Sequence, residues 1–359
     1  MHSCPALNGA GLAPPANVRM NMTLLITAVG PEYSLGVSDQ RITATYASRV
    51  RTIDEKFNKH IYFGTEDYVA NVSYTGVAQW RLKGVRYRLY DLISDAIASI
   101  IVSRPKLAPL CIHLTKHLQD RIPNAATLGV EPSFELHIIS REKSYPANTI
   151  TVISTFRRTA PWGDDEGMIY EWDLGSIMIF MKVLVEETEV IFGGMEPHVR
   201  QAEKDWMRKA VRSGANAFQA SQMANKIVKG VSLRTPTVGP TSVSIAIPAN
   251  GYVDTNLWSY TDRVITGFVP RMIMSNGTMM GPSEFPVNLE IVSFGQHPKH
   301  SLFFKAILYK LYKKRIRSLI FRRRKGPLIP GIMGLLGLML FGSVKEGYDD
   351  FGLGSHTAE

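Results

Sequence analysis

A hydroxyl and a carboxylate stand sixteen residues apart near the start of the chain, Thr23 in "MNMTLLITAVG" and Asp39 in "SDQRIT". A catalytic first strand would place such a pair, because a threonine hydroxyl beside a base can attack a carbonyl carbon. A core strand with a polar edge would place it too: threonine is a good strand former, and Asp39-Gln40-Arg41 suits a solvated turn with a local ion pair. Taken alone, the pair leaves both readings open. Cys111, His113 and His117 form a second cluster on a helical pattern. Two histidines four apart can share a metal, but no cluster of acidic or further histidine partners accompanies them, so surface histidines and no metal are expected. Neither a Walker A loop nor a Rossmann fingerprint occurs, and no cofactor is expected.

The flanking elements must position Thr23 and Asp39. "TLLITAVG" is apolar on both faces, as a strand buried on both sides would be. "GPEY" supplies turn chemistry and "SLGVSDQRIT" returns as a second strand. "KHIYF" and "YVANVSYTG" follow, separated by the turn-like "GTED". From Leu82 through Val85, Leu89, Leu92, Ala96 and Ile100 the apolar spacing becomes three to four, which predicts a helix. Pro105 and Pro109 end it, and "LCIHLTKHLQDRI" predicts a second helix. The strands "FELHIISRE", "NTITVISTF", "SIMIFMKVLV" and "EVIFGG" come next, then one long helix over about 196–229 and closing strands that include "TSVSIAIPA" and "VNLEIVSFG". This order lacks the strict alternation of a doubly wound parallel sheet. It predicts an α+β fold, a four-layer αββα sandwich of two antiparallel sheets with helices on the outer faces, over residues 23–295.

Composition bounds the rest. Apolar residues make up 45% of the 359 and charged residues 20%. Those proportions suit a globular domain. Cys4 and Cys111 are too few for a disulfide framework, so a reducing compartment is expected. Residues 1–22 contain no signal-peptide core and read as a disordered arm or an upstream extension. The net charge of +10 is concentrated at the other end. Residues 299–359 hold twelve basic and four acidic residues, hence +8, and leave about +2 for the rest, so the basic balance says little about the main domain's ligand.

Thr23 to Gly76 resembles the N-terminal nucleophile hydrolases, and among them the bacterial proteasome β-subunit-like proteins. The resemblance rests on a threonine opening the first strand, Asp39 in a D-x-R-x-T turn, a lysine opening the third strand, Gly76 in "YTGVA", and the helix pair that follows. It implies the fold of that class and a mechanism. Thr23 Oγ would attack an amide carbonyl, the chain's own α-amine would take the proton, a lysine held by Asp39 would keep that amine's pKa low, and the Gly76 amide would face the oxyanion. Lys56 and Lys59 compete for the lysine's place. Lys59 is preferred because strand register puts Ile61 and Phe63 on one face and His60 and Tyr62 on the other.

The chain departs from the family pattern in two loops. "FGGMEP" supplies Gly193 and Gly194 but no serine, and "SLRTPTVGPTS" supplies Ser232, Thr241 and Ser242 but no aspartate. Met22 precedes Thr23, so initiation at Met22 followed by methionine removal would expose the threonine. The expected function is therefore an amide-bond hydrolase, a threonine peptidase, acting after removal of residues 1–22, on a peptide or other amide substrate and as a homo-oligomer. The alternative is a catalytically inactive proteasome-like scaffold or binding protein.

The tail, residues 296–359, carries its own signal. "SLFFKAILYKLYKKRIRSLIFRRRK" is basic and amphipathic, and Gly326 to Val344 is uncharged over nineteen residues. Such a segment suits an oligomer contact, a disordered extension or an anionic membrane surface. A cytoplasmic location is expected, peripheral to the inner membrane face where the tail engages it. No base-reading or stacking module accompanies the arginines, so nucleic acid is not expected as a partner.

Overall fold

A computed structural model of the chain describes residues 19–20, 23–46, 49–82, 85–124, 132–143, 147–162, 168–248, 256–260, 265–267, 271–273, 275–277, 279–280 and 289–290. All of them fall in the first of the two units into which the chain divides, Met1–Ser293. The predicted tail lies outside the described residues, as do all of residues 1–22 except Arg19 and Met20.

Chain order begins with β1 (Arg19–Met20), β2 (Leu24–Gly30), β3 (Tyr33–Asp39), β4 (Ile42–Tyr46), β5 (Arg49–Asp54), β6 (His60–Gly64) and β7 (Tyr68–Gly76). A hairpin of β8 (Gln79–Leu82) and β9 (Val85–Arg88) leads into helices α1 (Leu89–Ile101) and α2 (Leu107–Arg121). Next come β10 (Phe134–Glu142), β11 (Ala147–Ser154), β12 (Met168–Asp173), β13 (Met178–Val185) and β14 (Glu189–Gly194). A 3-10 turn at Glu196–His198 precedes helices α3 (Gln201–Arg212) and α4 (Ala217–Ser232). The strands β15 (Ser242–Pro248), β16 (Asn256–Tyr260), β17 (Ile265–Gly267), β18 (Arg271–Ile273), β19 (Met279–Met280) and β20 (Leu289–Glu290) complete the described elements.

The fold is α+β with several antiparallel sheets. One sheet of eight strands runs β12-β13-β11-β10-β7-β6-β18-β19, and one of seven runs β14-β2-β3-β15-β16-β17-β20. Pairing in both is antiparallel except between β18 and β6. β1 pairs with β4 of a smaller sheet, setting Arg19 opposite Thr45 and Met20 opposite Ala44.

Alternation sorts the side chains. On β2 and β3, Leu24, Ile26, Ala28, Leu35 and Val37 form one cluster with Met207, Val211, Ala224, Ile227, Val228 and Val231 of α3 and α4. On β6 and β7, Ile61, Phe63, Ala70, Val72 and Tyr74 form another with Leu89, Ile93, Ile97, Leu110 and Leu114 of α1 and α2. Burying each of the Val, Leu, Ile, Phe and Met side chains among them contributes about 1.5–3 kcal/mol, and each alanine less. The opposite faces of the strands meet one another. Val29 and Ile191 pack on Ile150, Val152, Phe180 and Leu184. Polar pairs cross the same interface: Thr27 Oγ1 with His137 Nδ1 at 2.8 Å, Ser38 Oγ with His60 Nε2 at 2.9 Å, and Ser34 Oγ donating to Asn148 Oδ1 at 2.7 Å. Every one of these groups is buried, so each needs the partner it has.

Several elements differ from expectation. The helix predicted from Leu82 starts at Leu89, because the preceding residues form the β8–β9 hairpin, where Trp80 stacks on Tyr87 at 5.9 Å. Pro109 does not end a helix; it sits in the first turn of α2, where a missing N–H breaks no intrahelical bond. The single helix expected over 196–229 is a turn and two helices. Gly214, in the left-handed region, ends α3. Asn216 opens α4 by accepting from Gln219 N at 2.9 Å, while Gln219 accepts from Asn216 N at 3.0 Å. This reciprocal pair is a capping box. β5 and β12 were not anticipated.

Candidate functional site

The site grows from the start of β2. Thr23 directly precedes that strand and is buried. Its carbonyl accepts from Met195 N at 3.0 Å and from the Thr75 hydroxyl at 2.9 Å, and its N–H donates to Thr75 Oγ1 at 2.6 Å. Gly194 makes this approach feasible. Its φ is positive, and a Cβ there would run into the Thr23 carbonyl oxygen and the Thr75 side chain. Glycine alone meets both demands without strain.

Asp39 ends β3 and is fully buried. Its Oδ2 accepts from Leu24 N at 2.9 Å; its Oδ1 accepts from Arg41 N at 2.8 Å and Gly239 N at 3.2 Å. One carboxylate thus ties together the start of β2, the turn after β3 and the loop before β15. Lys59 precedes β6 and is 1% exposed. Its Nζ donates to Thr23 Oγ1 at 2.6 Å, to the Arg41 carbonyl at 2.6 Å and to Asp39 Oδ1 at 3.4 Å. Three acceptors use all three ammonium protons. Burial pulls the Lys59 amine below its ordinary value, against the attraction of Asp39. Burial likewise pushes the Asp39 carboxyl up, against Lys59 and the three backbone amides. The pair is therefore poised closer to neutrality than two exposed groups would be. Lys56 stands elsewhere: it is exposed, and its N–H donates to Asp54 Oδ1 at 2.8 Å.

Gly76 ends β7 in a positive-φ conformation, and a Cβ there would collide with the backbone of Ser133 and Phe134. The fold itself thus requires glycine at that point. Thr23 and Gly76 line one pocket with Ile42, Thr43, Ile53, Ala78 and Gln79. The Thr43 hydroxyl is buried and has no hydrogen-bond partner among the described residues. Ile42, Ile53 and Ala78 make its aliphatic wall, and Thr23, Thr43 and Gln79 are its polar residues.

Thr23, Asp39, Lys59 and Gly76 are thus brought to one place. Ser232 is not, and although Ser242 pairs with Asp39 across β15 and β3 and the Thr241 carbonyl accepts from Gln40 N at 3.1 Å, the hydroxyls of all three are engaged elsewhere. Ser232 Oγ donates to Lys229 O at 2.8 Å, Thr241 Oγ1 to Glu55 O at 3.5 Å, and Ser242 Oγ to Asn225 Oδ1 at 3.0 Å. Sequence reasoning missed Thr75, whose only signal was its place directly before Gly76. It also missed the Gly239 amide and the Arg41 carbonyl, which are backbone groups and leave no mark in residue type. Among the described residues no three His, Cys, Asp or Glu side chains converge as a metal site would require.

No family model and no curated protein matches the chain. Solved structures do align with it. Anbu (ancestral beta-subunit) from Yersinia bercovieri is 12% identical, with 86% of this chain and 99% of that one covered, at a TM-score of 0.41. The Anbu complex from Pseudomonas aeruginosa, described as a helical assembly, is 11% identical, with 85% and 98% covered, at 0.40. Anbu from Hyphomicrobium sp. strain MC1, as a Gly-1 mutant, is 10% identical, with 67% and 89% covered, at 0.41. The assignment to bacterial proteasome β-subunit-like proteins made from the motif spacing is therefore corrected. Four residue types at suitable intervals cover a small part of the chain, and matches at 12%, 11% and 10% identity with TM-scores near 0.4 show no family for it.

Proposed function

We propose that the chain is an amide-bond hydrolase whose nucleophile is Thr23, acting once residues 1–22 are removed. The observation that carries the reading is the 2.6 Å contact between Lys59 Nζ and Thr23 Oγ1, made beside a pocket that both Thr23 and Gly76 line. In this reading the free Thr23 amine takes the proton of its own hydroxyl, since an α-amine titrates at about 7.7–8.0. Oγ then attacks the amide carbon. The Lys59 ammonium disfavours a second positive charge nearby, keeping the amine neutral, and stabilises charge on Oγ. Asp39 holds Lys59. The Gly76 amide faces the oxyanion, and the leaving amine takes the proton from the Thr23 ammonium. Water repeats the sequence on the acyl-threonine ester and frees the acid. The aliphatic wall of Ile42, Ile53 and Ala78 suits an apolar side chain of a peptide substrate, and the Thr43 hydroxyl a polar group of its backbone.

The packing of helices on both sheets and of the sheets on each other supports a four-layer αββα sandwich as the frame. Homo-oligomerisation and a peripheral place at the inner membrane face, through the tail, belong to the same proposal.

A second reading has its own observation. With residues 1–22 in place the Thr23 nitrogen lies in a peptide bond, and Arg19 and Met20 pair with β4. That form has no catalytic amine and would act as a binding scaffold. Intact mass of the protein purified from its own cells separates the two. The hydrolase reading expects a chain beginning at Thr23 that gains one acyl group from a β-lactone probe and hydrolyses peptide amides, with both lost in Thr23→Ala. A chain beginning at Met1, or one beginning at Thr23 that forms no adduct, sinks it.

A further inference from the structure

We propose that Thr75 is a positioning residue for the Thr23 amine, aiming the amine's lone pair at the Thr23 hydroxyl. The inference rests on the reading of Thr23 as an N-terminal nucleophile. It starts from one hydroxyl with two bonds to one residue: Thr75 Oγ1 accepts from Thr23 N at 2.6 Å and donates to Thr23 O at 2.9 Å. Thr75 is 1% exposed, so water does not compete for either bond. Its single proton is committed to the carbonyl, and toward the nitrogen it can only accept.

That asymmetry has a consequence once Thr23 begins the chain. A neutral amine has two N–H bonds and one lone pair. Thr75 takes one N–H and offers no proton to the lone pair, which is left for the Thr23 hydroxyl. When the amine accepts that proton it becomes an ammonium, and its bond to Thr75 becomes charge-assisted and stronger. Thr75 therefore favours the protonated amine, while Lys59, on the other side of Thr23, disfavours it. The two neighbours set the base between them. Gly194 leaves room for the clamp, because a side chain there would meet both the Thr23 carbonyl and Thr75.

The test uses the chain from Thr23 to Glu359 with Thr75→Val and Thr75→Ser. The amine's titration is read from the pH dependence of its acylation by acetic anhydride, located by mass spectrometry, which needs no substrate. Thr75→Val should move the midpoint down by about half a pH unit or more. It should also lower kcat for a peptide amide about tenfold or more with a smaller change in KM, and Thr75→Ser should restore both. An unmoved midpoint with kcat within about twofold of the parent overturns the proposal. Should Thr75→Val not fold, Thr75→Ala replaces it: a shifted midpoint supports the clamp and an unshifted one overturns it. Thr23→Ala tests the underlying reading separately. Full hydrolysis by that variant removes the nucleophile assignment, and the acylation midpoint alone then decides whether Thr75 holds the amine.

Discussion

Lys59 Nζ lies nearer to Thr23 Oγ1, at 2.6 Å, than to Asp39 Oδ1, at 3.4 Å, although lysine and aspartate are the charged pair. Backbone geometry decides this. Asp39 is already held by three amides, and Lys59 is drawn aside by the Arg41 carbonyl at 2.6 Å. The ammonium is thus directed at the hydroxyl, and the ion pair supports it from behind.

Removing one member of this pair should leave a buried charge without its counter-charge. Lys59→Met is expected to destabilise the fold by about 3 kcal/mol, and Lys59→Met with Asp39→Asn by clearly less. Urea denaturation of the two variants and the parent checks this. Equal losses in both variants would mean that the pair is not coupled. Hydrolysis should be absent in both.

His60 gives a pH signature unrelated to catalysis. It is fully buried, and burial pulls it down to about 3 from an ordinary 6.5, with the Lys59 charge acting in the same direction. The unfolded chain therefore binds a proton at His60 at a pH where the folded chain does not. The resulting stability is fully present above about 6.5 and is lost as pH falls towards 3, at up to roughly 1.4 kcal/mol per pH unit. His60→Gln should lose less stability than the parent between about pH 6.5 and about pH 4, read by urea denaturation at each pH. Parallel curves for the two proteins would show that His60 is not responsible.

Two glycines at positive φ should behave differently. Gly214 has open space around an added Cβ. Gly214→Ala should therefore cost only the left-handed conformation, about 1 kcal/mol. Gly194→Ala adds a collision with the Thr23 carbonyl and Thr75, so it should cost more than twice as much. It should also loosen β2 and β14 at their paired ends, where Gly194 faces Leu24. Thermal unfolding of both variants measures the contrast. Equal losses would mean that the backbone around Thr23 shifts without cost.

How far the sequence could reach depends on what each feature encodes. A continuous apolar run is written in residue type, so the burial of β2 on both faces was legible, while β3, β6 and β7 were legible as strands; the register of Ile61 and Phe63 also pointed to Lys59, which contacts Thr23, over Lys56. The break between α3 and α4 was legible in principle from Gly214 and the Asn216–Gln219 box, but the apolar spacing continues across it and masked it. β12 was missed for another reason. It is an edge strand with Met168 and Tyr170 exposed, so it carries no buried alternation to detect. The groups that complete the site are largely backbone: the Gly239, Leu24 and Arg41 amides and the Arg41 carbonyl. Their convergence follows from topology, which spacing along one chain does not reveal. Family assignment failed at the same point, because four well-spaced residues constrain a local geometry and leave the rest of the chain undetermined.

The last prediction concerns the tail beyond the described residues. No helix among the described residues is long and apolar enough to cross a membrane. From Lys299 to Lys325 there are eleven Lys or Arg and no acid, followed by nineteen uncharged residues from Gly326 to Val344. Near an anionic surface each basic residue contributes about 1 kcal/mol, screened by salt. Several together should exceed the entropy of ordering the segment even where the apolar stretch only enters the headgroup layer. The full chain should therefore sediment with phosphatidylserine-containing vesicles at low salt, release as salt rises, and ignore vesicles of neutral lipid. A chain ending at Gly295 should stay in the supernatant under every condition. Equal sedimentation of the two chains would move the membrane contact onto the main domain, whose share of the net charge is only about +2. Loss of cooperative unfolding in the shortened chain would show instead that the tail is part of the fold.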